Sequence, residues 1–297
     1  MSNVRFYGTM AAIVVAIIWG LSFVAARVVL TTLTPVILAT VRFLIASIIY
    51  APFIIGYTTK GIKPSGNEFK ELLVLGLLSI SIYFWLQYTG VQYAGAGISA
   101  LLVVGLIPVL TGFAGSILLK ESFSIKKGAG IAMGLTGVAL IAIPKLFVTN
   151  VDWMFFFGVA CLLGNAVCWS IYSTMSRRLI KKTGRPFMVT AWTTLFGTLV
   201  LIPMSLTSNW TLISVVSSTQ WISILYLAIV CSGGGYYLWN YALSKTEAVK
   251  ASVWLYLEPV SAFIGELFLF SIFPSPLTML GGLGIMAGAL LTTFSKE

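Results

Sequence analysis

Roughly ten runs of about 20 mainly apolar residues, parted by short polar breaks, fill this chain of 297 residues. Each run is long enough to cross the hydrocarbon core of a bilayer as an α-helix rising 1.5 Å per residue. The predicted spans are 8–30, 35–57, 70–90, 94–118, 126–144, 154–176, 186–206, 219–243, 248–270 and 276–294. The longest breaks, among them Tyr57–Gly66, Lys120–Lys127, Arg177–Arg185 and Leu206–Thr219, are too short to hold a soluble catalytic or nucleotide-binding domain. Composition agrees, since 59% of the residues are hydrophobic and 9% charged, whereas a soluble domain is usually about 25% charged. The expected class is an all-α integral membrane protein with ten transmembrane helices.

Several function classes fall away. Cys161, Cys168 and Cys231 lie inside apolar runs and the chain has no histidine. They read as small buried hydrophobes, so neither a metal site nor a cofactor is expected. There is no phosphate-binding Gly-x-x-x-x-Gly-Lys-Ser/Thr loop and no plausible nucleophile–base set. Enzymatic activity and direct ATP coupling are therefore not expected. The net charge of +10 has a topological source. With the N-terminus on the inner side, Arg5, Lys60, Lys63, Lys70, Lys120–Lys127, Arg177–Arg185, Lys245, Lys250 and Lys296 all face inward, while Lys145 stays outside and Arg27 lies near the outer edge. The positive-inside rule then predicts cytoplasmic termini in a cell (inner or plasma) membrane, and nucleic acid need not be invoked.

The chain also repeats itself. A shift of 151 residues places Pro35 on Pro186, Pro52 on Pro203, Pro108 on Pro259, Gly130 on Gly281 and Gly137 on Gly288. A shift of 150 aligns Trp19 with Trp169 and Arg27 with Arg177. The expected units are residues 1–148 and 149–297, five helices each. Five is odd, so the second copy enters the membrane upside down, as in many secondary transporters.

With Ile18-Trp-Gly-Leu-Ser-Phe23, Val41-Arg-Phe43, Gln92-Tyr-Ala94, Ile107-Pro108, Leu119-Lys-Glu121, Trp239-Asn-Tyr-Ala-Leu243 and Tyr256-Leu-Glu-Pro-Val260 in this order, the chain resembles the drug/metabolite transporter superfamily in its ten-helix EamA-type branch. The resemblance covers essentially the whole chain. It implies a central cavity lined mainly by helices 1, 3, 4, 6, 8 and 9, with helices 5 and 10 as scaffold. It also implies transport of amino acids, other metabolites, nucleotide sugars or drugs. The ninth span departs from the pattern, ending Phe270-Ser-Ile-Phe-Pro274 without the glycine–glutamate pair common there.

Charges inside a span single out candidate site residues, because each costs at least about 2.5 kcal/mol near the bilayer centre unless a cavity or partner receives it. Glu258 lies about 15 Å into the ninth span. Glu266 and Arg42 share a layer nearer the outer surface. Two readings stand side by side. Glu258 binds a substrate ammonium or a coupling proton, or else Glu258 or Glu266 forms a structural ion pair with Arg42. Trp19, Tyr83, Tyr237, Trp254 and Tyr256 are deep aromatics suited to substrate contact, with plain packing as the alternative. Trp239 reads as an interface residue. Pro108 and Pro259 occupy equivalent positions and are candidate hinges or static kinks. Gly130-x-x-x-Gly134 and Gly284-x-x-x-Gly288 are small-residue faces for helix packing or a homodimer.

The expected function is a secondary-active or facilitative carrier. It moves a small polar or amphipathic organic solute, an amino acid or related metabolite, outward by alternating access. Protons are possible coupling partners. A lipid-headgroup flippase and a non-transporting membrane subunit are the rivals.

Overall fold

The computed structural model describes residues 3–121, 124–146, 152–270 and 276–294, without the side chains of 3, 95–98, 100–101, 141–146, 266, 269–270 and 278. All regular structure among them is helical. The helices are α1 (Asn3–Val29), α2 (Pro35–Thr59), α3 (Gly66–Gly76), α4 (Ile82–Ser99), α5 (Gly105–Leu118), α6 (Ile125–Leu146), α7 (Trp153–Thr183), α8 (Pro186–Ser205), α9 (Ser218–Leu225), α10 (Tyr236–Lys245), α11 (Ala248–Ser252), α12 (Leu257–Phe270) and α13 (Pro276–Thr293). Wider π segments, Leu77–Ser81, Ala100–Val104 and Tyr226–Gly235, join α3 to α4, α4 to α5 and α9 to α10. Six helical stretches are long and apolar enough to cross a bilayer by length and composition, and shorter apolar helices cover Leu102–Leu118 and Met279–Thr293.

Local chemistry sets the helix ends. Pro35 and Pro186 start α2 and α8, where the missing N–H costs nothing. Ser65 with Glu68, and Ser217 with Gln220, form capping boxes at the starts of α3 and α9. Gly184, at φ +68°, closes α7 in the left-handed conformation that glycine adopts without strain.

The third and fourth expected spans have no extended linker between them. Their reversal is seen in their packing on α7. Gly158 meets Tyr93 and Ala94, and Asn165 donates to the Tyr83 carbonyl at 2.7 Å, so α4 runs antiparallel to α7. Ser170 donates to the Ile107 carbonyl and Arg177 reaches Glu121, so α5 runs parallel to it. The chain therefore folds back between Ala94 and Ile107. The ninth span is not one helix. It breaks into α11, the 3-10 turn Val253–Tyr256 and α12. Pro259 cannot donate to Leu255, and the break places it in the first turn of α12, where no donor is needed.

Contacts across the bundle relate the two halves. Gly130 packs on Gly288 while Gly137 packs on Gly281, and these pairs exchange under the 151-residue shift. Ser47 bonds Thr198 at 2.9 Å and Tyr256 donates to the Gly105 carbonyl at 3.0 Å, each pair being 151 residues apart. Reciprocal contacts of this kind are the mark of a two-fold axis. Equivalent helices α2 and α8, and α6 and α13, run antiparallel, so the fold is two inverted five-helix repeats. The 148/149 boundary falls outside the described residues.

The glycine stripes of α6 and α13 pack on each other within the chain, so they are not an open face for a second copy. A Cβ on Gly130 would lie 2.2 Å from Thr292 Oγ1 and 2.6 Å from the Gly288 carbonyl. Such close backbone approach supplies the van der Waals contact that holds helices together in lipid. Phe113, Leu283 and Phe268, 66–81% exposed, point outward as a lipid-facing chain requires.

Candidate functional site

A cavity of about 650 Å³ opens into the bundle from the end where α1 finishes. Its lining reaches the exposed Leu30 and Thr31 at that end, termed here the open end. On α1 the lining residues Trp19, Ser22, Phe23, Ala26, Arg27 and Leu30 form one stripe at three- and four-residue spacing. Tyr83, Phe84, Gln87, Tyr88 and Val91 form the matching stripe on α4. Ser99, Val103, Val104 and Ile107 come from the turn and from α5, Trp169 from α7, Tyr236 from α10, and Leu255 to Phe263 from the broken ninth span. The expected lining helices all contribute. Arg42 of α2 and Val138 of α6 join them.

Charge enters this cavity at three described positions: Arg27, Arg42 and Glu258. Arg42 is 5% exposed, and its Nε donates to Ser232 Oγ at 2.8 Å. Its guanidinium carbon sits 5.1 Å from the ring centroids of both Phe43 and Phe84, within cation–π range. The π segment Tyr226–Gly235 supplies Ser232 to α2 and offers backbone carbonyls to side chains of α1 and α2. Trp19 Nε1 donates to the Cys231 carbonyl at 3.1 Å and Tyr50 OH to that of Gly233 at 2.6 Å. A Cβ at Gly235 would lie 2.7 Å from Trp19 Nε1, so glycine there lets the indole lie on the backbone. Glu258 is 9% exposed and lines the cavity. It makes no hydrogen bond or ion pair with any described residue. The Arg42–Glu258 salt bridge, one of the two sequence readings, is not formed. The side chain of Glu266 lies outside the described residues.

Aromatic rings make the cavity floor. Trp19 and Trp169, equivalent residues of the two repeats, meet edge to face at 5.2 Å, and Tyr236 packs on both. Trp239 lies beneath them, wholly buried and 5.8 Å from each indole, so the interface reading of this residue is corrected. Edge-to-face and tilted pairs of this kind pack rigidly.

Among the residues expected to meet substrate, Trp19, Tyr83 and Glu258 come together in the cavity, with Arg42 and Pro259. Tyr237, Trp254, Tyr256 and Pro108 are placed elsewhere. The Tyr237 ring packs on Phe187 and Tyr241. Tyr256 is fully buried, bonds the Gly105 carbonyl and fills the space left by Gly134. Trp254 is buried outside the cavity lining. Arg27 and Tyr88 were not singled out for the site in the sequence. The stripe spacing on α1 and α4 was the signal that points to them.

Beyond the floor the bundle is closed. Tyr172 and Ser176 of α7 and Thr190 of α8 all bond the Asn240 amide of α10. Below that network Arg177 donates Nε to Glu121 at 2.6 Å and Nη1 to the Leu243 carbonyl at 2.6 Å. Lys127, fully buried, pairs with Glu247, which also takes Lys250 at 3.2 Å. Burial would raise the Glu247 carboxyl, but the ammonium groups of Lys127 and then Lys250 outweigh it and hold the group below its ordinary range.

Known proteins fit this architecture. A solved crystal structure superimposes with a TM-score of 0.79 over 96% of each chain at 19% identity. A transporter of Archaeoglobus fulgidus described as uncharacterized is 28% identical over 282 residues, 95% of each chain. The Bacillus subtilis transporter YyaM, described in the same way, is 30% identical over 259 residues, 84% of this chain and 81% of its own. A chloroplastic WAT1-related protein of Arabidopsis thaliana is 23% identical over 290 residues, 94% of this chain and 67% of its own. The model of the EamA-like transporter family matches twice, over residues 6–143 and 156–294, once for each repeat. The chain belongs to the EamA-like transporter family and is a multi-pass membrane transporter of a small-molecule substrate.

Proposed function

We propose that this transporter carries a zwitterionic or amphipathic organic solute, an amino acid or related metabolite, outward across the cell membrane by alternating access between its inverted halves, residues 1–148 and 149–297. The observation that carries the reading is Glu258, an intramembrane carboxylate lining an aromatic cavity with no partner among the described residues, while Arg27 and Arg42 line the same space. A carboxylate and guanidinium groups in one low-dielectric pocket match the ammonium and carboxylate of one solute. The rings of Trp19, Tyr83, Phe84 and Trp169 supply apolar contact and cation–π attraction. Energy comes from the solute gradient or from protons taken up at Glu258. Pro108 and Pro259 stand in the first turns of α5 and α12, next to a π and a 3-10 segment, and act as hinges. Both termini face the cytoplasm, in keeping with the basic loops. A homodimer would need a surface other than the glycine stripes.

Counterflow of labelled amino acids in proteoliposomes tests the reading. Saturable exchange that is lost in Glu258→Gln is the expected result. Headgroup scrambling without amino-acid exchange would favour the flippase instead.

A further inference from the structure

The closed end of the bundle is unusually polar for a sealed membrane interior. Tyr172, Ser173, Ser176, Thr190, Thr193 and Asn240 are all within 1% of full burial there. Asn240 gathers three of these side chains, yet Ser173 Oγ and Thr193 Oγ1 find no hydrogen-bond partner among the described residues, and neither does Trp239 Nε1. Leaving a buried hydroxyl unpaired is costly, and folded proteins keep few such groups. A second, independent observation is the repeat symmetry. Tyr172 and Ser173 are the counterparts of the cavity-lining Ser22 and Phe23, Arg177 of Arg27, Thr193 of Arg42 and Trp239 of Tyr88. The closed end is thus built from the positions that, in the other repeat, face the open cavity.

We infer that this region is a second vestibule in its collapsed form, a hydroxyl- and amide-lined path for water and the polar solute between the aromatic floor and the other face of the membrane. The Arg177–Glu121 pair and the Lys127–Glu247–Lys250 cluster are its latch. The inference rests on the carrier reading, since a path through the closed end has a use only if the two ends open in turn. The latch ties α7 to the chain after α5, and α6 to the link between α10 and α11. Those elements must part for solute to pass, and the unpaired hydroxyls then gain water.

Thiol accessibility tests this. Ser173→Cys, Ser176→Cys and, as the open-end control, Ser22→Cys are made in a background with Cys161, Cys168 and Cys231 changed to Ala. They are reconstituted in nanodiscs, where a charged maleimide reaches both faces. With the latch intact, Ser22→Cys reacts and the two closed-end thiols are protected. Adding Glu121→Gln or Glu247→Gln is expected to speed reaction at Ser173→Cys at least about tenfold while slowing it at Ser22→Cys, because losing one partner of a buried pair shifts a two-state balance by more than that factor. No change at either closed-end thiol, or a rise at all three positions together, overturns the inference. If the Gln variants do not fold, Arg177→Lys carries the same expectation, since it keeps the charge and loses the second hydrogen bond. Counterflow on the same variants separates the two claims. Opening without any solute exchange in the parent protein would sink the carrier reading alone, and exchange with no opening would sink the vestibule alone.

Discussion

The two ends of this bundle are made from equivalent pieces of chain and do opposite things. At the open end, the stripes of α1 and α4 stand apart around a cavity that holds Arg27, Arg42 and Glu258. At the closed end, α7 and α10 meet through Asn240 and are locked by Arg177 on Glu121. Arg27 and Arg177 show the contrast at a single pair of equivalent positions. Arg27 lines the cavity, while Arg177 is 6% exposed and donates to the Glu121 carboxylate and the Leu243 carbonyl in the closed interior. Equivalent helices therefore do not dictate which end opens. Glu121 and Glu247, each without a carboxylate at the equivalent position of the other repeat, form the ion pairs of the closed end.

The sharpest way to break the comparison is at Glu258. Glu258→Gln keeps the size and removes the charge, so exchange is expected to vanish while detergent-solubilised protein stays folded and monodisperse. Retained exchange would show that the cavity's carboxylate is not a binding group. Next in size is Glu121→Gln, which leaves the Arg177 guanidinium in a nearly dry site without its counter-charge. Losses for such pairs are about 3–5 kcal/mol, and a thermal unfolding scan reads the drop. Third, Arg42→Ala removes a charge-assisted partner for a solute carboxylate, worth about 1.5–3 kcal/mol. KM should rise at least about tenfold for zwitterions and much less for the matching amines.

A smaller effect concerns pH. The folded Glu247 carboxyl titrates below its unfolded value because of Lys127 and Lys250. Its contribution is therefore complete above the ordinary carboxylate range and is lost as pH falls through the depressed folded value. Thermal stability should fall below about pH 4, and less steeply in Glu247→Gln. The smallest effect is expected at Tyr256→Phe, which loses the bond to the Gly105 carbonyl for about 1 kcal/mol and leaves KM unchanged, because the ring lies outside the cavity.

Part of the cavity lining could be read from single residues, and the residues that lie outside it do so for physical causes. Glu258 and Arg42 announced themselves because charge inside a span demands a cavity or a partner. Trp254 and Tyr256 flank that same carboxylate in the sequence. The 3-10 turn Val253–Tyr256 rotates them away from the face a continuous helix would have given them. Tyr237 is one residue from Tyr236, a step of about 100° around the helix, and only Tyr236 faces the floor. Trp239 looked like an interface residue by its distance from the helix end, but the stack on Trp19 and Trp169 buries it completely.

The sequence by itself determined the membrane class, the ten spans and the inverted repeat. These follow from run length, parity and matched prolines and glycines, which act locally along the chain. The tertiary structure alone decided which end is open, which aromatics meet in the cavity and which charges pair. Those outcomes depend on helix rotation at π and 3-10 segments and on contacts between residues far apart in the chain, such as Arg42 with Ser232, 190 residues on, and Trp19 with the Cys231 carbonyl, 212 residues on.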